Sequence, residues 1–171
     1  MQKGSKINQV VLFDWGDTLM HDDPSQRGPM CDWPYIHLVA GARQVLEQVS
    51  QHYPVYVATD AKDSTEREIA RAFERGQLDE FIDGYFCRSN LGVVKGSSEY
   101  FSAIADKLEV DTQQLIMIGD NLEKDIRPAI ASGAQGIWLH PNAQVNTPAS
   151  IHHVTQLEQI LDILFTQPCT E

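Results

Sequence analysis

The sequence predicts an α/β protein built on a doubly wound parallel sheet with helices on both faces. Two patterns indicate this class. Short runs that are apolar throughout, as in strands buried on both faces, recur along the 171 residues. Segments with apolar residues at helical spacing separate these runs, as they do in βαβ units. The length suits one domain, and we expect residues 1–171 to form a single core.

The first half of the chain reads as strand, irregular segment, helix, strand and helix. The apolar run Val10–Phe13 predicts a strand that ends at Asp14. Residues 20–35 hold three prolines and a glycine, which is typical of a loop, so we expect a short insert there. Helical spacing of apolar residues predicts a helix over 36–52. The run Val55–Ala58 predicts a second strand, and the charged segment 64–75 predicts a helix.

The second half continues the alternation. Apolar runs predict strands at 85–87, 115–118 and 136–139, and amphipathic segments predict helices at 97–108 and 122–132. Gly133 then follows, a residue typical of the position just past a helix. A closing helix is predicted at 151–165. His152 and His153 fall on it, and because helical neighbours diverge by about 100°, we predict surface residues rather than a metal pair.

Charge and composition exclude several classes of protein. The net charge of −11 argues against a nucleic-acid or anionic-membrane binder, since both need positive surface. No apolar run approaches the roughly 20 residues that span a bilayer, and no apolar signal segment precedes the first strand. Cys31, Cys87 and Cys169 are odd in number and lack metal-like spacing, so we expect a reducing, cytoplasmic setting.

Reactive side chains follow the predicted strands at one edge of the sheet, where ligands bind in such folds. Predicted strands end directly before Asp14, Thr59 and Asp120. Asp125 comes five residues after Asp120, and Lys95 precedes a predicted helix. Carboxylates suit Mg²⁺, a hydroxyl and an ammonium suit phosphate oxygens, and a carboxylate can attack phosphorus. Each residue alone is more often a cap, a turn residue or a surface charge. Together they predict a site for phosphoryl chemistry.

In this order the residues resemble the motifs of the haloacid dehalogenase-like (HAD) superfamily of phosphoaspartyl hydrolases. The resemblance covers roughly residues 8–141, nearly all of the predicted sheet. Four segments carry it: FDWGDTL at 13–19, VAT at 57–59, VKG at 94–96 and IGD at 118–120, the last followed by Asp125. Each motif alone is common, whereas four in order are specific. The resemblance implies a Rossmann-like core and a phosphorylated substrate, either a small molecule or a macromolecule.

The resemblance also implies the roles of individual residues. Asp14 would be the nucleophile that forms an aspartyl phosphate, as in phosphoric monoester or acyl phosphate hydrolysis. Thr59, Asp60 and Lys95 would bind the substrate, with Lys95 also offsetting the crowded negative charge.

A Mg²⁺ cofactor is implied by the same motifs. Its ligands would be the carboxylates of Asp14 and Asp120 and the backbone carbonyl of Gly16. Asp125 would orient these ligands from behind, or through water.

The sequence departs from the family pattern two residues after Asp14. The usual Asp there protonates the leaving oxygen and then activates water, but this chain has Gly16, with Asp17 one place later. Extended residues three apart point in different directions, so Asp17 should lie beside the chemistry unless a local kink turns it. Because acid–base groups typically contribute about 10²–10⁴ in rate, we expect a phosphatase of weak or specialised activity. The alternative is a non-catalytic or regulatory binding protein on this fold.

The insert is too short for the cap domain of many relatives, which implies an open site. Such a site suits a large substrate, a partner that acts as a lid, or a loosely held small phosphate. Candidate specificity residues in the insert are His21, Asp22, Asp23, Arg27, Trp33 and Tyr35. The segment Trp33-Pro34-Tyr35 is alternatively a hydrophobic staple onto the next helix.

Two other classes fit the sequence poorly. A response-regulator receiver also phosphorylates an Asp, but its acidic pair comes first and its Lys last, unlike the order here. A dinucleotide-binding domain is unsupported, because no Gly-x-Gly-x-x-Gly follows the first strand.

Overall fold

A computed structural model describes residues 8–166, in which six parallel strands form one sheet. The strands are β1 Val10–Phe13, β2 Val55–Ala58, β3 Gly84–Phe86, β4 Leu115–Gly119, β5 Gln135–Leu139 and β6 His152–Val154. Their order across the sheet is β3-β2-β1-β4-β5-β6. The chain therefore winds outward in both directions from β1 and β4, as predicted. Ligand sites of such sheets lie where the winding reverses, beyond the carboxyl ends of these two strands.

Helices connect the strands. They are α1 Ala42–His52, α2 Glu66–Arg75, α3 Arg88–Leu91, α4 Ser98–Leu108, α5 Arg127–Ser132 and α6 Ile160–Thr166. A π-helical turn, Leu122–Ile126, precedes α5. The helix expected from residue 36 begins only at Ala42, because Gly41 before it has a φ of 80° and breaks the helical backbone.

Two hydrophobic cores cover the two faces of the sheet. Val11 and Phe13 of β1 pack into one core with residues of α1, α2 and α6. Val10 and Leu12 pack into the other with residues of α4 and α5. The unbroken apolar character of the strands thus reflects burial on both sides.

The predicted closing helix over 151–165 is wrong in its first part. Residues 152–154 pair with β5 as a sixth strand, with His153 opposite Trp138. His152 is exposed as expected, but His153 is half-buried, and its Nε2 lies 2.9 Å from the carbonyl oxygen of His140. Pairing along the open edge of β5 overrides the helical spacing of apolar residues, which is a weak signal over so short a run.

The insert at 20–35 is fixed to α2 by two guanidinium groups, of which Arg71 pairs with Asp32 at 3.4 Å. Arg75 donates to the carbonyls of Cys31 and Trp33, both at 2.7 Å. Trp33 is buried, whereas Tyr35 is 76% exposed and α1 begins well beyond it. The alternative of a hydrophobic staple formed by Trp33-Pro34-Tyr35 is therefore wrong.

Cys31 and Cys87 are buried free thiols. Cys169 and residues 1–7, which entered the cytoplasmic prediction, lie outside the described residues. Between residues 8 and 166, no helix is both long enough and apolar enough to cross a bilayer.

Candidate active site

The strand order brings the three predicted strand-end residues to one place. β1 lies between β2 and β4, so Asp14 lies between Thr59 and Asp120 at the carboxyl edge of the sheet. The backbone N–H of Asp14 donates to the carbonyl oxygen of Ile118 in β4 at 2.9 Å. The backbone N–H of Thr59 donates to the carbonyl oxygen of Phe86 in β3 at 3.0 Å. These residues are therefore held by the end of the sheet itself.

Lys95 is buried beneath these residues and joins two of the carboxylates. Its Nζ lies 2.7 Å from Oδ1 of Asp14 and 2.6 Å from Oδ1 of Asp125, and it donates to the carbonyl of Ala58 at 2.8 Å. These three partners match the three N–H donors of an ammonium group. Burial by itself would lower the pKa of Lys95, but the carboxylates of Asp14 and Asp125 outweigh it and raise that pKa. The ammonium thus stays charged.

Three carboxylates meet closely enough to share a cation. One oxygen each from Asp14, Asp120 and Asp125 lies within 4.8 Å of the others. Oxygens bound to one Mg²⁺ lie at most about 4.2 Å apart, so a small adjustment would bring two of these groups onto the ion. Burial first, and then the nearby charge of Asp14, raise the pKa of Asp120 to about 8.

Asp125 is set behind the other two carboxylates. Its Oδ1 accepts from Lys95, and its Oδ2 accepts from the backbone N–H of Asn121 at 3.1 Å. Burial, with the charge of Asp14 next, raises its pKa to about 6. Gly119 makes this packing possible, since a Cβ there would lie 2.2 Å from Oδ2 of Asp125. With both oxygens engaged, Asp125 is arranged to orient Lys95 and the turn after β4.

Sequence reasoning missed three residues that support the site. Thr18 is fully buried, and its hydroxyl lies 3.4 Å from Oδ2 of Asp14 and from Oδ1 of Asp120. The indole N–H of Trp138 donates to the backbone carbonyl of Asp120 at 2.9 Å. The hydroxyl of Tyr100 donates to the backbone carbonyl of Thr59 at 3.1 Å. Thr18 had a signal, its place in the first motif. In the sequence, Tyr100 and Trp138 had only the pattern of core residues.

A cavity of about 290 Å³ opens over Asp14, and Thr59 and Asp60 line it. The hydroxyl oxygen of Thr59 accepts from the backbone N–H of Ala61 at 3.2 Å, which leaves its proton free to donate. The carboxylate of Asp60 lies 3.0 Å from the guanidinium of Arg88. Lys62 adds a cation to the same wall.

The kink at the first motif is present, and it falls on Asp17. Asp17 has a φ of 60°, whereas Gly16 is outside the left-handed region. The carboxylate of Asp17 accepts from the backbone N–H of Asp22 at 3.0 Å. Asp17 lines a second cavity, of about 460 Å³, whereas Asp14 and Asp22 both line the first. Asp17 therefore lines a different cavity from Thr59, one that Asp120 also lines.

The six candidate specificity residues of the insert separate in the structure. Asp22 and Trp33 line the first cavity, and His21 lines the second. Asp23, Arg27 and Tyr35 line neither cavity, and of the six residues only Trp33 is buried. Partial burial, then the charges of Asp17, Asp23 and Asp14, raise the pKa of Asp22.

Curated relatives are similar to this chain in sequence over much of its length. YfnB of Bacillus subtilis, named as a HAD-hydrolase, is 25% identical over 74% of this chain and 54% of its own length. A ribulose-1,5-bisphosphate 5-phosphatase of Halopiger xanaduensis is 27% identical over 66% of this chain and 46% of its own. The chain thus spans about half the length of the curated relatives it matches.

Solved structures give the same fold at lower identity. A crystal structure of a Listeria monocytogenes protein superposes with a TM-score of 0.80 at 21% identity, covering 91% of this chain and 96% of that one. A structure of YfnB bound to magnesium gives 0.73 at 16% identity, covering 92% of this chain and 98% of that one.

A family model for haloacid dehalogenase-like hydrolases matches residues 32–133. The match includes Thr59, Lys95, Asp120 and Asp125, whereas Asp14 and the rest of the first motif, at 13–19, lie outside it. The strand order, the meeting of these residues at one sheet edge and the match over more than half of the chain agree. The chain belongs to the haloacid dehalogenase-like hydrolases.

Proposed function

We propose that this chain is a Mg²⁺-dependent phosphatase that acts through an aspartyl phosphate on Asp14. The observation that carries the proposal is the position of the Asp14 carboxylate. One of its oxygens is held by Lys95 at 2.7 Å, its other oxygen faces Thr18 and Asp120, and the residue lines an open cavity with Thr59. A carboxylate placed in this way can attack a phosphorus atom that the neighbouring hydroxyl and cation hold in position.

The donor set fits the metal. We propose that Asp14, Asp120 and the backbone carbonyl of Gly16 hold Mg²⁺, a hard cation that takes oxygen ligands and keeps several waters. The approach of oxygens from Asp14, Asp120 and Asp125 within 4.8 Å of one another supports a cation there. When bound, the ion would supply positive charge against the carboxylates and the phosphate. Asp125 keeps both of its oxygens on Lys95 and Asn121 and orients the site from behind.

The chemistry of the protein groups runs in two steps. A carboxylate oxygen of Asp14 bonds to phosphorus as the bond from phosphorus to the leaving oxygen breaks. Water then attacks the same phosphorus, the bond to Asp14 breaks, and inorganic phosphate leaves. Thr59 donates a hydrogen bond to a phosphate oxygen in both steps, and Lys95 keeps Asp14 ionised and positioned.

The substrate class follows from the cavity and the relatives. The cavity of about 290 Å³ suits a small phosphomonoester or an acyl phosphate, with Asp60 and Lys62 on its wall. Two relatives are named as phosphatases of ribulose 1,5-bisphosphate and glyceraldehyde 3-phosphate. The buried free thiols support a cytoplasmic setting. The second candidate, a protein that binds phosphorylated ligands without hydrolysis, is favoured by Gly16 alone.

A phosphatase screen tests the proposal. Wild-type protein and Asp14→Asn would be assayed on phosphomonoesters, acyl phosphates and phosphoproteins, with and without Mg²⁺. We expect Mg²⁺-dependent phosphate release by the wild type and none by Asp14→Asn, which keeps the volume of the side chain and loses its charge. Full Mg²⁺-dependent activity in Asp14→Asn would overturn covalent catalysis at Asp14. Binding without hydrolysis by the wild type would favour the second candidate.

A further inference from the structure

The space beside Gly16 is filled by another carboxylate. A Cβ built on Gly16 would lie 3.4 Å from Cβ, 3.7 Å from Cγ and 3.8 Å from Oδ2 of Asp22. An Asp at position 16 would extend its own carboxylate into this space. Asp22 therefore brings the functional group that the first motif lacks to the place where the motif would put it.

Asp22 faces the same cavity as the nucleophile. Asp14, Gly16, Asp22 and Thr59 line one cavity, above which the leaving group of a bound phosphate would lie. Within residues 8–166, no hydrogen bond engages the carboxylate of Asp22, and the hydrogen bond that the residue makes there is donated by its backbone N–H to Asp17. The carboxylate of Asp22 is therefore free to exchange a proton with a substrate or a water.

The loop that carries Asp22 is folded back by Asp17. The backbone N–H of Asp17 donates to the carbonyl of Met20 at 2.7 Å, and its carboxylate accepts from the N–H of Asp22 at 3.0 Å. The left-handed backbone at Asp17, with φ 60°, makes this tight return possible. With Gly at position 16 and Asp at position 17, the carboxylate of Asp17 holds the backbone of Asp22 as the loop turns back toward β1.

We propose that Asp22 is the general acid and base of this active site, in place of the missing carboxylate at position 16, and that Asp17 positions it. The inference rests on the proposed function. As the bond between Asp14 and phosphorus forms, the carboxylic acid of Asp22 gives its proton to the leaving oxygen. The carboxylate of Asp22 then takes a proton from the water that attacks the aspartyl phosphate, which restores the acid and frees Asp14.

Leaving-group dependence tests the acid step. The kcat/KM of each variant would be measured on p-nitrophenyl phosphate and on the alkyl phosphate that the wild type hydrolyses fastest. Asp22→Asn should lower kcat/KM on the alkyl phosphate by roughly 10²–10⁴-fold. It should lower the value on p-nitrophenyl phosphate much less, since p-nitrophenolate leaves without a proton. Asp106→Asn, on the exposed face of α4, makes the same change in net charge and should leave both values unchanged.

Moving the carboxylate gives a second test. Asp22→Ala should reproduce the selective loss, and adding Gly16→Asp to it should restore much of the alkyl phosphate activity. The first variant leaves space for the new side chain, and Gly16 has no left-handed φ that an Asp would strain. Recovery would show that a carboxylate in this space suffices, whichever residue carries it.

Asp17 is tested by rescue. Asp17→Ala removes the acceptor for the N–H of Asp22 and should lower alkyl phosphate kcat/KM selectively, while Asp17→Asn keeps an acceptor oxygen and should recover it. Equal losses on both substrates in Asp22→Asn, or wild-type values on both, would overturn the inference. If Asp22 variants are unchanged while Asp14→Asn is inactive, only the inference about Asp22 fails. If Asp14→Asn is active, the proposed function fails.

Discussion

The ammonium of Lys95 and the carboxylate of Asp14 form an ion pair of 2.7 Å, although the two residues are 81 positions apart in sequence. The side chain of Lys95 is only 2% exposed and that of Asp14 only 13%. An ammonium so placed offsets part of the negative charge of the carboxylates around it and fixes one oxygen of Asp14. The other oxygen of Asp14 faces the hydroxyl of Thr18, which also lies beside Asp120.

Removing this ammonium should cost both stability and activity. Lys95→Ala leaves Asp14 and Asp125 buried without their counter-ion, and loss of one partner from a buried pair typically costs about 3–5 kcal/mol in the free energy of unfolding. We expect urea unfolding at pH 7 to show a loss of this size and phosphate release to fall to the level of Asp14→Asn. Mg²⁺ should recover part of the stability, since it brings positive charge to the same carboxylates. A Lys95→Ala protein as stable as the wild type would contradict the structural role of the pair.

The stability of the metal-free protein should fall between pH 5 and pH 8. The pKa of Asp120 rises from 3.8 to about 8, and that of Asp125 to about 6, so the folded state holds protons that the unfolded state has already lost. Unfolding in this range releases protons, and a higher pH therefore favours it. Thermal unfolding in EDTA should show a falling Tm, and Asp120→Asn should flatten the slope. A Tm that rises over this range in the wild type would contradict the crowding of these carboxylates.

Magnesium should reverse this pH dependence. Protonated carboxylates bind Mg²⁺ poorly, so the rise in Tm on adding Mg²⁺ should be larger at pH 8 than at pH 5. Asp120→Asn, which lacks one proposed ligand, should show little rise at either pH. An equal rise at both pH values would place the binding of Mg²⁺ elsewhere.

A crystal grown with Mg²⁺ should hold the ion between Asp14 and Asp120, with oxygen distances of about 2.0–2.1 Å. Asp125 should keep its contacts with Lys95 and Asn121 rather than bind the ion directly. An ion at another position, or these two carboxylates further apart than one bridging water, would reject the ligand assignment.

Gly119→Ala should disturb Asp125 specifically. The added Cβ would lie 2.2 Å from Oδ2 and 2.6 Å from Cγ of Asp125, so the carboxylate must move and its contact with Lys95 must weaken. We expect lower stability and lower phosphatase activity. Gly16→Ala is a control for stability, since its Cβ meets nothing closer than 3.4 Å and should change the free energy of unfolding by about 0.5 kcal/mol or less. Equal stability of the two variants would contradict the close packing at Gly119.

Strands and their ends were predictable because burial on two faces requires an unbroken run of apolar residues, which is easily recognised in a sequence. Val10–Phe13 and Val55–Ala58 are strands with the predicted bounds, and the residues that follow them meet at the site. The start of α1 and the strand β6 were not predictable in this way. The φ of 80° at Gly41 prevents a helix from continuing through it, and His152–Val154 pair with the edge strand β5. The first depends on one backbone angle and the second on a pairing between strands, and short apolar patterns encode neither.

Within the site, residues named by a motif were predicted better than residues brought in by a loop. Asp14, Thr59, Lys95 and Asp120 have fixed places at strand ends or before a helix. Asp22 lies beside Gly16 only because the chain turns back at Asp17. The sequence indicated that a kink was possible there, but not which side chain it would bring over the glycine.

The central claim is that Asp14 carries the phosphoryl group, and the most direct measurement is to find that group on the protein. Wild-type enzyme would be mixed with substrate and Mg²⁺, quenched in acid and treated with borohydride, which reduces a phosphorylated Asp to homoserine. Peptide mass spectrometry should then find homoserine at position 14, dependent on substrate and Mg²⁺ and absent from Asp14→Asn. An enzyme that turns over while position 14 stays unmodified, or one modified at another carboxylate, would contradict the account.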